Sequence, residues 1–247
     1  MVAATKPINQ IDTADIREYL SRFDRLKMSS ISKKLSVAKS FFGWLTDEEL
    51  IPKDPARRIK PPKKEQILPK ALTIGELEQI RETCSTYRER ALVEVLYATG
   101  GRLSEIQKLD RSDIDWQAMD TRVIGKGNKE RTVFLSYKAV YHLRKYLMTR
   151  LDDEPALFIT ERRPYRRLSQ RGIQRVIRVI AKRSGIQKKI HPHTFRHTFA
   201  FLTLNNGADL SSVHQALLGH TDPSTTQVYA QVTEEKKREA YKKHLVQ

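Results

Sequence analysis

A mainly α fold with a small β-sheet, an α+β domain preceded by a smaller helical one, is what these 247 residues predict. Three observations carry that expectation. Apolar residues recur at helical spacing, as in Ile31, Leu35, Ala38, Phe42 and Leu45. A pair of β-rich runs, Val123-Ile124 and Thr132-Val133-Phe134-Leu135, flanks a turn containing glycine and asparagine and reads as a hairpin. The stretch from Lys60-Pro61-Pro62 to Pro69-Lys70 has prolines that exclude helix and lysines that favour solvent or phosphate, so it reads as a break between domains.

In chain order, Thr13 to Phe23 and Ser29 to Leu45 read as helices, the first opened by Asp12 or Thr13. Residues 1–62 then form a first helical domain, 63–71 a linker and 72–247 a second domain. Within the second, helices are expected at Ile74 to Cys84, Tyr87 to Tyr97, Leu103 to Leu109, Tyr137 to Thr149, Leu168 to Ser184, Thr194 to Asn205 and Leu210 to Leu218. Strands lie near Val123 and Val133, and Gly219 stops the last of these helices. After a turn at Asp222-Pro223, Tyr229 sits on a separate short element. The tail Glu234 to Leu245 reads as a charged helix whose sparse apolar face is Ala240, Tyr241 and Leu245.

Charge points to a polyanion. Lys plus Arg number 46 against 29 Asp plus Glu, a formal charge of +17. The excess is organised: Arg171, Arg175, Arg178 and Lys182 recur on one helical face, with Ile173, Val176, Ile177 and Ile180 opposite. Arg162, Arg163, Arg166 and Arg167 lie just upstream. A basic face is often merely solvated, but with this net charge it favours DNA contact. Lys33 and Lys39 in the first domain, Lys63 and Lys64 in the linker, and Lys129 and Arg131 in the hairpin join Arg171, Arg175 and Arg178 as expected DNA contacts. No run is apolar enough to span a bilayer and no secretory leader is visible, which predicts a cytoplasmic, nucleoid-associated protein without a membrane partner. A single cysteine, Cys84, excludes an internal disulfide and reads as a small packed residue.

Six polar residues, Arg102, Lys126, His193, Arg196, His220 and Tyr229, follow one another in an order suited to a phosphate. His193 and Arg196 are three apart, so a helix turns both to one side. Arg102 follows Thr99-Gly100-Gly101 and opens an amphipathic run, a loop-to-helix junction where backbone donors also favour an anion. Lys126 is near the hairpin tip. Alone, Tyr229 would be an ordinary packed aromatic; its relation to His220 and Arg196 marks it out. His191, His193 and His197 invite a zinc reading, but no third Cys or carboxylate ligand lies at suitable spacing, and no metal is expected. His191, His197 and His214 then read as structural or solvent-facing.

The strings Gly125-Lys126-Gly127-Asn128-Lys129-Glu130-Arg131, His193-x-x-Arg196-His197-Thr198-Phe199-Ala200 and Leu218-Gly219-His220-x-x-x-x-Thr225-Thr226-x-x-Tyr229 resemble the tyrosine recombinases, the phage-integrase and Xer-type family. That resemblance, from about Leu72 to Tyr229, implies a catalytic domain preceded by a small helical core-binding domain that helps close a clamp on DNA. It implies Tyr229 as nucleophile forming a 3′-phosphotyrosyl link, Arg102 and Arg196 on the nonbridging oxygens, and His220 as a further donor. Lys126 is implied as the general acid, with Lys129 as runner-up, and His193 as the group that orients or deprotonates the phenol. Glu105 would support them by accepting hydrogen bonds from backbone or a basic residue. Neither a metal nor a nucleotide cofactor is implied. The expected partners are double-stranded DNA and further copies of the chain, as a tetramer on paired sites with exchange of the C-terminal helix; a self-packed tail is the alternative, and the need for an accessory protein is left open. Further helical sequence is usual ahead of Ile11, so the first domain reads as N-terminally shortened. The leading function is site-specific recombination, whether integration, excision or resolution; a type IB topoisomerase-like enzyme and a catalytically silent DNA-binding protein are the alternatives.

Overall fold

The computed structural model describes residues 6–62, 71–125, 127–128, 130–208 and 213. The chain divides into two compact units, Met1–Ile67 and Leu68–Gln247.

In the first unit, helix α1 (Thr13–Ser21) is opened by Asp12, whose carboxylate accepts from the amides of Ala14 and Asp15 while Asp15 reaches back to the Asp12 amide. This reciprocal cap satisfies donors the first turn leaves orphaned. The helix ends earlier than the expected Phe23 because residues 20–26 wind into i→i+3 turns. Helix α2 (Met28–Asp47) presents Leu35, Phe42 and Leu45 to a core completed by Ile16, Ile51, Ala56 and Ile59. Thr13 Oγ1 donates to the Pro55 carbonyl, which fastens the start of α1 to the end of the unit.

The second unit is built around α4 (Tyr87–Thr99). Ala91, Leu92, Val93, Val95 and Leu96 are all buried, so this helix is enclosed on nearly every side. It packs against α6 (Tyr137–Met148), α7 (Gln170–Ser184) and α8 (Pro192–Asn205). Helix α3 (Ile74–Thr83) begins with a capping box between Thr73 and Glu76, and α5 (Leu103–Lys108) is a short helix after α4. Glu94, in the middle of the apolar run of α4, is fully buried and held by Arg81 (2.7 Å) and Arg90 (3.0 Å).

Three antiparallel strands, β1 (Ile114–Asp115), β2 (Asp120–Ile124) and β3 (Glu130–Phe134), form one sheet in that order. The hairpin register pairs Thr121 with Val133 and Ile124 with Glu130. Between the strands, Gly127 and Asn128 are both at positive φ, a conformation that glycine and asparagine adopt most readily. Strand β1 was not legible in the sequence; two residues are too short to show a period.

Two helix starts differ from expectation for local reasons. Helix α7 starts at Gln170, because Ser169 caps it through the Gly172 amide and Leu168 hydrogen-bonds to Phe158. Helix α8 starts at Pro192, a favoured first-turn residue whose missing N–H costs nothing there. Thr198 on α8 receives a hydrogen bond from the Leu72 amide (2.9 Å) and donates to the Thr194 carbonyl (2.8 Å). The expected helix Leu210 to Leu218, the tail helix and nearly all of the expected linker lie outside the described residues.

Candidate active site

The turn Thr99-Gly100-Gly101 is the hub of the site. Gly100 ends α4 in the left-handed region at φ +54°, and a Cβ there would lie 2.5 Å from Cδ1 of Phe199. Only glycine fits on both counts. Its carbonyl then accepts a 2.6 Å hydrogen bond from Nη1 of Arg196, which reaches it from α8 and is buried. Arg102 follows at once as the N-cap of α5. One turn of chain thus positions both guanidiniums.

Arg102 is oriented by Glu105. The Arg102 amide donates to Oε2 (2.6 Å) and its Nη1 to Oε1 (2.9 Å). From β3, Arg131 donates Nη1 to Oε1 (2.8 Å) and Nη2 to Oε2 (2.7 Å). Burial alone would raise the Glu105 carboxyl, but the Arg131 hydrogen bonds and those from the backbone and side chain of Arg102 outweigh it and hold the group at about 2. The Glu105 side chain is 2% exposed, that of Arg131 12% and that of Arg102 27%. Of the three, the Arg102 side chain is the most open to solvent.

His193 and Arg196 lie on the same α8 turn, as their spacing predicts. The His193 imidazole is exposed, yet its pKa is pushed down, first by partial desolvation and then by the charges of His191, Arg196 and Arg102. His193 stands one helical turn before Arg196, whose guanidinium is bonded to the carbonyl two residues ahead of Arg102. His197, half-buried on the following turn, is lowered to about 4 by burial and by His193, Arg196 and His191. Three of the six expected catalytic residues, Arg102, His193 and Arg196, are therefore brought together. Lys126, His220 and Tyr229 lie outside the described residues, although Gly125, next to Lys126, sits over the cluster: a Cβ there would lie 3.5 Å from Arg102, Arg131 and Glu105 alike.

The expected DNA contacts fall into distinct classes. Arg171, Arg175 and Arg178 are all exposed on α7, opposite buried Ile173, Ile177 and Ile180. In the first unit Lys33 is exposed, and Lys39 donates to the Arg57 carbonyl at 3.1 Å. Lys63, Lys64 and Lys129 lie outside the described residues. Arg131 departs from expectation: its guanidinium is engaged by Glu105 rather than turned outward. The signal was present, since Arg131 shares a strand face with buried Val133. Arg167, one of the basic residues upstream of the α7 face, caps α5 through the carbonyls of Gln107, Lys108 and Leu109 and pairs with Asp110. Cys84 is half-buried, donates to the Ile80 carbonyl, and is pushed up to about 12 chiefly by burial, which removes it as a nucleophile.

An arginine pair with an adjacent imidazole, raised at the ends of two helices, is the equipment of an enzyme that works on a phosphodiester. Comparison with known proteins names the group. The profile of the phage integrase family matches residues 70–236, and that of the phage integrase N-terminal SAM-like domain matches residues 2–49. The chain belongs to the phage integrase family, the tyrosine recombinases. Among its relatives, the tyrosine recombinase XerC of Leptospira interrogans is 37% identical over 96% of this chain and 79% of that protein. Tyrosine recombinase XerD of Listeria innocua is 39% identical over 86% of this chain and 75% of its own length. The crystal structure of XerA recombinase is 32% identical, with a TM-score of 0.63 over 98% of this chain and 86% of that one. The XerH site-specific recombinase in a post-cleavage complex with its palindromic difH substrate shares the fold, with a TM-score of 0.78 at 21% identity over 95% of this chain and 73% of that one.

Proposed function

We propose that this tyrosine recombinase cleaves and rejoins double-stranded DNA at specific sites, with Tyr229 as nucleophile. The phenol oxygen attacks the scissile phosphorus, the bond to the 5′-oxygen breaks, and a 3′-phosphotyrosyl link remains beside a free 5′-hydroxyl. Because the ester energy is kept in that link, a 5′-hydroxyl from a partner strand reverses the step. Arg102 and Arg196 hold the nonbridging oxygens as negative charge builds on phosphorus; such preorganised donors are each worth about 2.7–4 kcal/mol. His193, held neutral at pH 7 by its lowered pKa, takes or orients the phenol proton, Lys126 protonates the departing oxygen, and His220 adds a donor.

The observation that carries this reading is the convergence of Arg102 and Arg196 on one turn, Arg196 through the Gly100 carbonyl, with His193 one helical turn before Arg196. Exposed Arg171, Arg175 and Arg178 support contact with the DNA backbone. The first unit serves as the core-binding half of a clamp, the chain works as a tetramer on paired sites with its C-terminal helix exchanged between subunits, and its place is the cytoplasmic nucleoid. Among the described residues no helix is long and apolar enough to cross a membrane.

A nicked suicide duplex tests the chemistry. Tyr229→Phe should leave binding within a few-fold and abolish the covalent protein–DNA adduct. Adduct formation by that variant would remove Tyr229 from the role.

A further inference from the structure

The charge balance around Glu105 assigns a job to a residue outside the catalytic set. Both Glu105 oxygens are doubly engaged: each accepts once from Arg102 and once from Arg131. A carboxylate offers about four acceptor sites, so this one is filled. Arg102 and Arg131 together carry two positive charges against one negative, leaving the cluster with a net charge of +1. Without Arg131, buried Glu105 would offset the charge of Arg102, and the excess positive charge of the site would fall to that of Arg196. Geometry acts in the same direction. Arg131 is a two-pronged strut from β3, whose strand runs directly into the loop 125–129 that contains Lys126.

We propose that Arg131 is a positioning residue for strand cleavage: through Glu105 it holds the Arg102 guanidinium toward the scissile phosphate and ties the register of the β2–β3 hairpin to the start of α5. This rests on Arg102 being a phosphate-holding residue. Arg131 is not a phosphate contact in this scheme, and it touches no reacting atom.

The test is a set of variants of the full chain, measured by single-turnover adduct formation on the suicide duplex, by DNA affinity across salt concentrations, and by thermal melting. Arg131→Gln should slow adduct formation about 100-fold, the size expected of a small misplacement of a catalytic group, with affinity and its salt slope unchanged. Its acid limb should move to higher pH, because Glu105 loses the donors that lower it. Arg131→Lys, which keeps the charge but not the fork, should fall between. The decisive arm is the set Glu105→Gln, Arg131→Gln and Glu105→Gln/Arg131→Gln: because Arg131 acts only through Glu105, the double variant should be no slower than Glu105→Gln alone. A double variant slowed by the product of the two single losses, the mark of independent roles, overturns the proposal. So does a loss of affinity with a salt slope reduced by about 1, the mark of a backbone-phosphate contact. Arg102→Gln, run alongside, separates the two readings: full activity there defeats the role of Arg102 itself, whereas a dead Arg102→Gln beside a fully active Arg131→Gln defeats only this inference. If Arg131→Gln melts before assay temperature, Arg131→Lys and the double variant carry the comparison.

Discussion

Two buried glutamates, each gripped by two arginines, serve different ends in this protein. Glu94 is fully enclosed, and its partners Arg81 and Arg90 come from α3 and from α4 itself. Glu105 is nearly as buried, but one of its partners, Arg102, keeps 27% of its side chain accessible. The chemistry is the same and the outlet is not. At Glu94 both guanidiniums are taken up by carboxylates, Arg81 also pairing with Glu78 and Arg90 with Glu82, and the result is a fastening between two helices. At Glu105 one guanidinium is oriented by the carboxylate yet left partly open toward solvent, as the proposed hold on a phosphate requires. A buried ion pair is therefore no sign of function by itself; what separates the two is that Arg102, the most open of these arginines, follows directly on the turn whose carbonyl holds Arg196.

The largest effect should come from breaking the closed cluster. Glu94→Gln removes the one fully enclosed carboxylate of the cluster, leaving nearly buried Arg81 with Glu78 alone, and should cost about 3 kcal/mol, the lower end for a broken buried pair, read as a fall in the denaturant midpoint. A change under about 1 kcal/mol, the range of exposed pairs, would erase the contrast drawn here. Next is Gly100→Ala. Forcing an ordinary residue into the left-handed region costs roughly 1–2 kcal/mol, and the 2.5 Å approach to Phe199 adds to it. Since the same residue supplies the carbonyl that holds Arg196, adduct formation should fall by more than the stability loss explains; a proportionate fall would mean that this carbonyl does not position Arg196.

The pH response sharpens the comparison further. Glu105, at about 2 in the fold against 4.5 ordinarily, contributes stability that is present above pH 4.5 and lost as pH falls toward 2. His197, at about 4 against 6.5, is kept neutral by the fold, so the unfolded chain binds the extra proton between those values and stability again falls with falling pH, here from 6.5 toward 4. Acid titration of unfolding should show the higher window shrink in His197→Gln and the lower one shrink in Glu105→Gln. Unchanged windows would mean that these two groups do not set the acid response. The smallest effect belongs to the exposed face of α7: replacing Arg171, Arg175 or Arg178 by alanine should weaken DNA binding at all sequences and lower the salt slope by about 1 each, with cleavage of bound DNA unaltered. A slope that does not move would leave that face merely solvated.

Most of the helical frame is legible in the sequence, because amphipathic periodicity is written in the chain itself: α2 and α7 declare their buried faces residue by residue, whereas α4, enclosed on nearly every side, declares only its length. Helix starts were less legible, since Ser169 and Pro192 act through local caps that periodicity does not register. Strand β1 was invisible for want of length. In the site, His193 and Arg196 were legible from their spacing, but the partners of each arginine were not. That Arg196 rests on the Gly100 carbonyl and that Arg167 closes the end of α5 are long-range facts, joining residues distant in sequence. Arg131 is the instructive case. Net positive charge argued for phosphate, while strand alternation with Val133 argued for the interior, and the interior won because a buried carboxylate was there to meet it.

The bond between the Leu72 amide and the Thr198 hydroxyl has a mechanical meaning. Thr198 stands on the helix that bears His193 and Arg196, only a short way along it, and the same hydroxyl is anchored to the Thr194 carbonyl. The backbone at Leu72 is thus moored through one hydroxyl to the helix that carries His193 and Arg196, so displacing that segment would strain the first turns of α8 directly.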